Sequence, residues 1–250
     1  MNRYASDKEI TLVFPAYNEA DRIEQAVLNA REALMSISKS FEIIIAEDGS
    51  TDGTREIAER ISSENDSVVC IHSNERLGRG GALKRAFRSS KGSILAYLDV
   101  DLSTQMNFLE PLIKSIRDGY DLATGSRMLP ESIVQRSLLR RLFSRVYNGM
   151  VRLLIRSPIK DHQCGFKAFK RESLFKILDE TKDRHWFWDT EAIALAVRYG
   201  FRIKEIPVVW REGESSKVKL VSDAINMGFG VFSLWWRLKM KRKIWKKHDR

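Results

Sequence analysis

Cysteine is scarce in this sequence: only Cys70 and Cys164 occur, far apart and in no CxxC or zinc-ligand spacing. That excludes a disulfide framework and a structural zinc site, and a reducing cytoplasm is the expected compartment. No run of ~20 apolar residues is present that could cross a bilayer, and Met1 to Glu9 is polar, without an apolar core of signal-peptide length. The expectation is a chain that is neither exported nor transmembrane. Both glycine signatures for phosphate are missing as well. Gly78, Gly80 and Gly81 do not make GxGxxG and follow the wrong strand, and no GxxxxGK[ST] occurs. Dinucleotide dehydrogenases and P-loop enzymes are therefore poor readings. Internal repeats are absent, and the only biased segment is the basic C-terminus.

What is there fits a single domain with appendages: 250 residues, 43% hydrophobic and 30% charged, enough to bury a full core. The formal charge of +10 is uneven. Arg237 to Arg250 holds eight of the 43 basic residues and one of the 33 acids, so this segment carries +7 and the other 236 residues only +3. The basicity is a local patch, whereas a nucleic-acid protein spreads it more widely, so no nucleic-acid partner is expected.

Short β-rich apolar runs alternate with helical periods. Ile10 to Phe14, Phe41 to Ala46, Val68 to His72, Ile94 to Leu98 and Leu122 to Thr124 read as buried parallel strands. Between them Ile23, Ala26, Val27, Ala30, Leu34 and Ile37 recur at helical spacing, and Thr54 to Glu64, Gly81 to Ser89 and Asn107 to Arg117 give further helices. This alternation predicts an α/β fold with a Rossmann-like, mostly parallel sheet flanked by helices. After about Arg127 the pattern changes to a long amphipathic helix over Gln135 to Ile155, then a mixed segment up to a strand over Ile203 to Trp210.

In such sheets ligands sit at the carboxyl ends of the strands, and here those ends are acidic. The first strand runs into Pro15-Ala16-Tyr17-Asn18-Glu19, the second into Glu47-Asp48-Gly49-Ser50, the fourth into Asp99-Val100-Asp101. A site with few backbone donors and several carboxylates needs a cation to hold a diphosphate. In extended chain residues i and i+2 point the same way, so Asp99 and Asp101 can converge on one hard cation that also takes phosphate oxygens. Two aspartates can equally do no more than end a strand; their place straight after a buried run, beside two other acidic strand ends, favours the ligand role. Asp48 can accept hydrogen bonds from a base or ribose, while Asp52 and Thr54 read as a turn and helix cap.

The ordered set PAYNE, EDGSTDGT, DVD, GSR and Trp210-Arg211-Glu212-Gly213-Glu214-Ser215-Ser216-Lys217 resembles glycosyltransferase family 2. Within it Glu131 to Ser137, Asp161 to Lys167 and Trp188 to Glu191 are similar to the dolichyl-phosphate glucosyltransferases, with their mannosyl counterparts close behind. The likeness runs from about Ile10 to Trp236 and implies the GT-A fold. It implies that Pro15, Tyr17, Glu19, Ala46 and Asp48 hold the nucleoside, and that Asp99, Val100 and Asp101 hold Mg²⁺ or Mn²⁺ and the diphosphate. Arg127, Arg211 and Lys217 would embrace the diphosphate and the acceptor phosphate. Asp189 and Glu191 are the candidate acids near the anomeric carbon or acceptor. Ser103 stands where mannosyl relatives usually carry Gln, and Glu47 replaces the first acid of the common Asp-Asp pair; the first departure leans toward glucose.

The expected reaction is inverting transfer of a hexose, glucose from UDP-glucose, to a polyprenyl or dolichyl phosphate. A phosphate whose second pKa is ~6 is largely ionised at neutral pH, so the protein's task is positioning and charge stabilisation. A GDP-mannose-dependent mannosyltransferase is the nearest alternative, and a non-catalytic module for anionic membrane or nucleic acid the alternative of another class. Loss of Asp99 or Asp101 separates them. Residues 1–217 are read as catalytic, with donor binding in 1–127 and the acceptor side in 128–217, and 218–250 as an amphipathic helix and polybasic tail. Eukaryotic glucosyl relatives begin with a membrane-spanning helix, and this sequence begins without one. Two segments suit an anionic membrane surface instead. Ala224 to Trp236 is apolar but for a stripe of Asn226, Gly230, Ser233 and Arg237, and Ser132 to Arg156 has six arginines and no acid. Peripheral attachment at the cytoplasmic face is the expected location.

Overall fold

The apolar runs become strands and the helical periods become helices in a computed structural model, which describes residues 7–211 and 220–248, with side chains of the last helix over 226–240. In chain order the elements are β1 (Lys8–Ala16), α1 (Ile23–Ile37), β2 (Phe41–Glu47), α2 (Thr54–Glu64), β3 (Val68–Ile71), α3 (Arg79–Ser89) and β4 (Gly92–Leu98). A short 3₁₀ turn at Met106–Phe108 leads into α4 (Leu109–Arg117), then β5 (Leu122–Ser126), β6 (Ile133–Gln135) and α5 (Leu138–Ile155). The chain continues through β7 (Phe166–Lys170), α6 (Arg171–Leu178), α7 (Trp188–Arg198), β8 (Ile203–Pro207), β9 (Val209–Arg211) and α8 (Leu220–His248).

Seven strands form one sheet in the order β3-β2-β1-β4-β7-β5-β8, and β6 and β9 pair separately. The α/β class and the mostly parallel sheet are as the sequence predicts. The difference lies at β7, which runs antiparallel to both neighbours, with Leu98 opposite Phe166 and Leu122 opposite Phe169. The expected strand Ile203 to Trp210 is two strands, divided at Val208 where the chain leaves the main sheet for β6. The expected helix from Gln135 begins at Leu138, behind a Ser137 cap, because Gln135 pairs with Arg211 in the small sheet. The C-terminal helix also runs well beyond Trp236, since the basic residues that follow have good helix propensity.

Helices cover both faces of the sheet. On one, Ile23, Ala26, Val27, Ala30 and Leu34 of α1 form the buried stripe foreseen from their spacing, packed with α2 and α4 on β1, β2 and β4. On the other, Phe87, Tyr97, Phe169 and Trp188 pack ring against ring at 5.8 to 6.4 Å between centroids. Trp188 has no exposed surface, so truncation to alanine would cost ~3–5 kcal/mol and loosen α7 from the sheet. A third, smaller core joins Tyr147 and Val151 of α5 to Met227, Val231 and Leu234 of α8 over Phe187 and Ala194. It places α8 beside the carboxyl ends of the strands.

Candidate active site

A cleft of about 260 Å³ opens at those carboxyl ends. Pro15 lines it at the end of β1 and Tyr17 and Glu19 just after it, Asp48 after β2, Asp99, Val100, Asp101 and Ser103 after β4, and Arg127 after β5. Gln163 and Gly165 enter just before β7, Arg136 and Arg140 at the start of α5, Asp189 on α7 and Met227 on α8. Sharp turns deliver the strand ends into this space. Asn18 and Leu102, both non-glycine, sit at φ of 53° and 47°, left-handed backbone that commonly marks functional turns.

The acids differ in their surroundings. Asp48 is buried, and its two oxygens accept from the amides of Leu77 and Gly78 at 2.7 and 2.9 Å, which ties the end of β2 to the loop before α3. Burial pushes its carboxyl above the ordinary range even though the two amides pull the other way. Glu47 turns from the cleft to accept from the Ser50 amide and to pair with the His72 ring. Asp99 is partly buried: burial pushes its carboxyl up to about 6, Arg79 opposes the shift, and neighbouring Asp101 and Asp189 add to it. Asp101 is exposed and accepts from the Ser103 amide at 3.0 Å. Arg211 supports this turn through its backbone, donating its amide to the Ser103 carbonyl at 2.9 Å.

Arg79 is the hinge of the acid cluster. Its Nε donates to Asp99 Oδ1 at 2.8 Å and its Nη1 to Asp189 Oδ2 at 2.6 Å. Asp189 also accepts from the fully buried Lys167 ammonium at 2.9 Å and from the Tyr97 hydroxyl. Burial disfavours its charge, yet Arg79 and Lys167 together hold the Asp189 carboxyl below its ordinary range. A carboxylate so occupied is a poor base. Arg127 is likewise engaged: its Nε and Nη2 grip buried Asp161 at 2.7 and 3.0 Å, a two-pronged pair beneath the Trp210 ring. Despite the burial penalty, that contact holds Asp161 well below the carboxylate range.

Of the sequence-predicted residues, Pro15, Tyr17, Glu19, Asp48, Asp99, Val100, Asp101, Ser103, Arg127 and Asp189 are brought together around one cleft. Ala46, Glu191 and Arg211 are not among its lining residues. Ala46 lies in the core within β2. Glu191 faces away: two residues along α7 carry it about 200° around the helix axis from Asp189. Its carboxylate instead accepts from the Lys182 and Asp183 amides at 2.7 and 2.8 Å and pairs with Arg237 of α8. Arg211 is an exposed strand residue, and Lys217 lies outside the described residues. Sequence reasoning missed Arg79, Tyr97, Lys167 and Asp161, whose roles come from partners 20 to 110 positions away. Two signals were available: a basic residue at the start of a helix, as Arg79 is, where that end repels positive charge, and the family likeness of the stretch bounded by Asp161 and Lys167.

The donor set suits a hard divalent cation. Asp99 and Asp101 are carboxylates on one turn, and one Asp99 oxygen is spoken for by Arg79 while the other abuts Gly165, where a Cβ would come within 1.8 Å of it. Among the described residues no third His, Cys, Asp or Glu completes a cluster. An ion there would need oxygens from a ligand or water, which is how magnesium-like ions bind beside phosphates.

A family model described as glycosyl transferase family 2 matches residues 11–178. The chain is 48% identical over 243 residues to glycosyltransferase AglD of Haloferax volcanii, covering 96% of this chain and 39% of that protein. It is 32% identical over 249 residues to dolichyl-phosphate beta-glucosyltransferase of Saccharomyces cerevisiae, covering 91% of this chain and 75% of that protein. With the human dolichyl-phosphate beta-glucosyltransferase the identity is 30% over 261 residues, 95% of this chain and 80% of the other. The chain thus spans well under half the length of the archaeal relative and about three quarters of the yeast and human ones. Among solved structures, glucosyl-3-phosphoglycerate synthase from Mycobacterium tuberculosis in complex with Mn²⁺, UDP and glucosyl-3-phosphoglycerate superposes with a TM-score of 0.65 at 21% identity, covering 91% of this chain and 78% of that one. The same synthase with Mg²⁺ and UDP gives 0.64 at 19% identity, covering 90% and 79%. The likeness to these structures establishes a shared fold.

Proposed function

The chain belongs to glycosyltransferase family 2, and from that premise we propose that it transfers glucose from UDP-glucose to the phosphate of a polyprenyl lipid such as dolichyl phosphate, with inversion at the anomeric carbon. The observation that carries this reading is the pair Asp99 and Asp101 on one turn, facing a cleft whose walls hold Arg76, Arg79, Arg127, Arg136 and Arg140. Such a cleft matches a substrate with a charged middle. The names of the yeast and human relatives support the acceptor, and the uridine complexes of the mycobacterial structures support the donor.

In this reading Pro15, Tyr17, Glu19 and Asp48 receive the nucleoside, with the Arg76 guanidinium already lying over the Tyr17 ring at 3.8 Å. Asp99 and Asp101 would hold Mg²⁺ or Mn²⁺, which supplies charge neutralisation to the departing nucleoside diphosphate. Arg79 keeps Asp99 ionised and aimed, and Asp189 keeps Arg79 in place. Neither Asp189 nor Glu191 is needed as a base, because an acceptor phosphate is largely ionised at neutral pH. The protein's contribution is to orient two anionic partners and screen their repulsion. Residues 1–127 form the donor side and 128–217 the acceptor side, with 218–250 holding the protein at the cytoplasmic face of an anionic membrane; among the described residues no helix is long and apolar enough to cross one.

A donor screen with the purified chain, a polyprenyl phosphate and Mg²⁺ or Mn²⁺ tests the proposal. Glucosyl transfer from UDP-glucose, abolished by chelation, is expected. Preferred use of GDP-mannose would replace the glucose assignment, and absence of transfer from every nucleotide sugar would refute the reading.

A further inference from the structure

Helix α5 buries Ser144, Tyr147, Asn148 and Val151 against the body and leaves its other face uncovered. On that face Leu138, Leu142, Val146 and Leu153 are exposed by 80, 59, 64 and 79%. A soluble helix seldom presents so many large apolar side chains together, and contiguous exposed patches mark contact surfaces. Between them stand Arg145, Arg152 and Arg156, all exposed, and among the described residues none of the three pairs with a carboxylate. No acid occurs from Ser132 to Arg156. Helix α8 packs alongside through Met227, Val231 and Leu234, and its outer side shows Phe229, Phe232 and Trp236.

The chemistry of this face selects its partner. Its uniform positive charge opposes a second copy of itself, and its leucines and phenylalanines have no use on a phosphate backbone. An anionic bilayer satisfies both features, because apolar side chains sink a few ångströms below the headgroups while arginines extend their heads to the phosphates. Arg136 and Arg140 at the start of α5, and Met227 of α8, also line the cleft, so the cleft's mouth adjoins the same face.

We propose that the outer faces of α5 and α8 form one docking surface that lies in the interfacial plane of an anionic membrane, with the cleft opening toward the headgroups. The orientation rests on the proposed function, in that it brings a lipid-borne phosphate to Arg136 and Arg140 without the lipid leaving the bilayer. Docking itself does not, and it is measured with neither donor nor acceptor present, so a failed donor screen leaves the measurement readable.

The test is co-sedimentation of the full chain with phosphatidylcholine vesicles, with and without phosphatidylglycerol. Leu142→Glu combined with Val146→Glu changes only exposed positions, and an unchanged thermal melt confirms the fold. Binding to the mixed vesicles should fall at least ~10-fold in this variant, and at least ~10-fold in Arg145→Glu with Arg152→Glu, since each basic residue near an anionic surface contributes appreciably. Wild-type binding should weaken as salt rises. Equal binding of wild type and the leucine-valine variant would overturn the proposal, as would equal binding of wild type to neutral and anionic vesicles. A stable dimer of the wild type that the same variant dissolves, seen by light scattering, would overturn it in favour of a second copy.

Discussion

Gly165→Ala should disable the acid cluster while leaving the fold standing. A Cβ built on Gly165 lies 1.8 Å from Asp99 Oδ2, 2.6 Å from its Cγ and 2.9 Å from Arg79 Nη2. Contacts below 3.0 Å do not persist, so the Asp99 carboxyl has to move by more than an ångström, against the hold of Arg79. The Gly165 backbone is not in the left-handed region, so alanine brings no conformational penalty, and the Asp99 amide can still donate to the Gly165 carbonyl. A misplacement of ~1 Å in a group that positions charge costs about 100-fold in rate, or ~2.7 kcal/mol of barrier. The assay is kcat/KM for glycosyl transfer at saturating metal, alongside a thermal melt. Gly149→Ala is the matched control: it lies on α5 with nothing within 4 Å of its added Cβ, so activity should hold and the helix should gain up to ~1 kcal/mol. Retention of more than about a third of wild-type kcat/KM by Gly165→Ala would refute the reasoning, because Asp99 would then tolerate displacement.

Asp101→Asn should lower transfer more than ~10-fold, a loss above ~1.4 kcal/mol, with an unchanged melt, since the exposed side chain accepts a single amide bond. Asp161→Asn should instead act on stability, costing ~3–5 kcal/mol in urea titration, because it strands the buried Arg127 guanidinium. A melt across pH should report His162, which is fully buried between Asn148 Oδ1 and Ser157 Oγ at 2.9 Å each, and whose pKa burial pushes down to about 4. The unfolded imidazole takes its proton near 6.5 and the folded one only near 4, so stability is full above pH ~6.5 and falls by up to ~3 kcal/mol toward pH 4. His162→Gln should flatten that slope, and an unchanged slope would count against it.

The part of the site that could be read in advance is the part made by local chain. Asp48, Asp99 and Asp101 each follow a buried run directly, and strand direction alone sends them to one edge of the sheet. Lys167 and Tyr97 gave no such signal. A lysine in the middle of Phe166–Lys170 interrupts an apolar run and hides the strand, yet its ammonium is fully buried because Asp189 and the Cys164 carbonyl receive it. Likewise Arg127 looked like a cation for phosphate, and only the fold reveals Asp161 in its grip. Asp189 and Glu191 are both expected near the anomeric carbon or acceptor; on helix α7 only Asp189 reaches the cleft.

The reversed strand has a further consequence. In an all-parallel sheet each strand sends only the segment that follows it to the working edge, and the segment before it stays at the far side. Because β7 runs the other way, residues 157–165 arrive at that edge from upstream and meet the turn after β4 head-on, Gly165 against Asp99. Two stretches of chain far apart in sequence are thereby stitched at a single point, without either lengthening the other's loop. Segment 157–165 therefore supplies part of the cleft wall, through Gln163 and Gly165, from upstream of its strand, whereas Tyr17 and Asp48 reach the same cleft downstream of theirs.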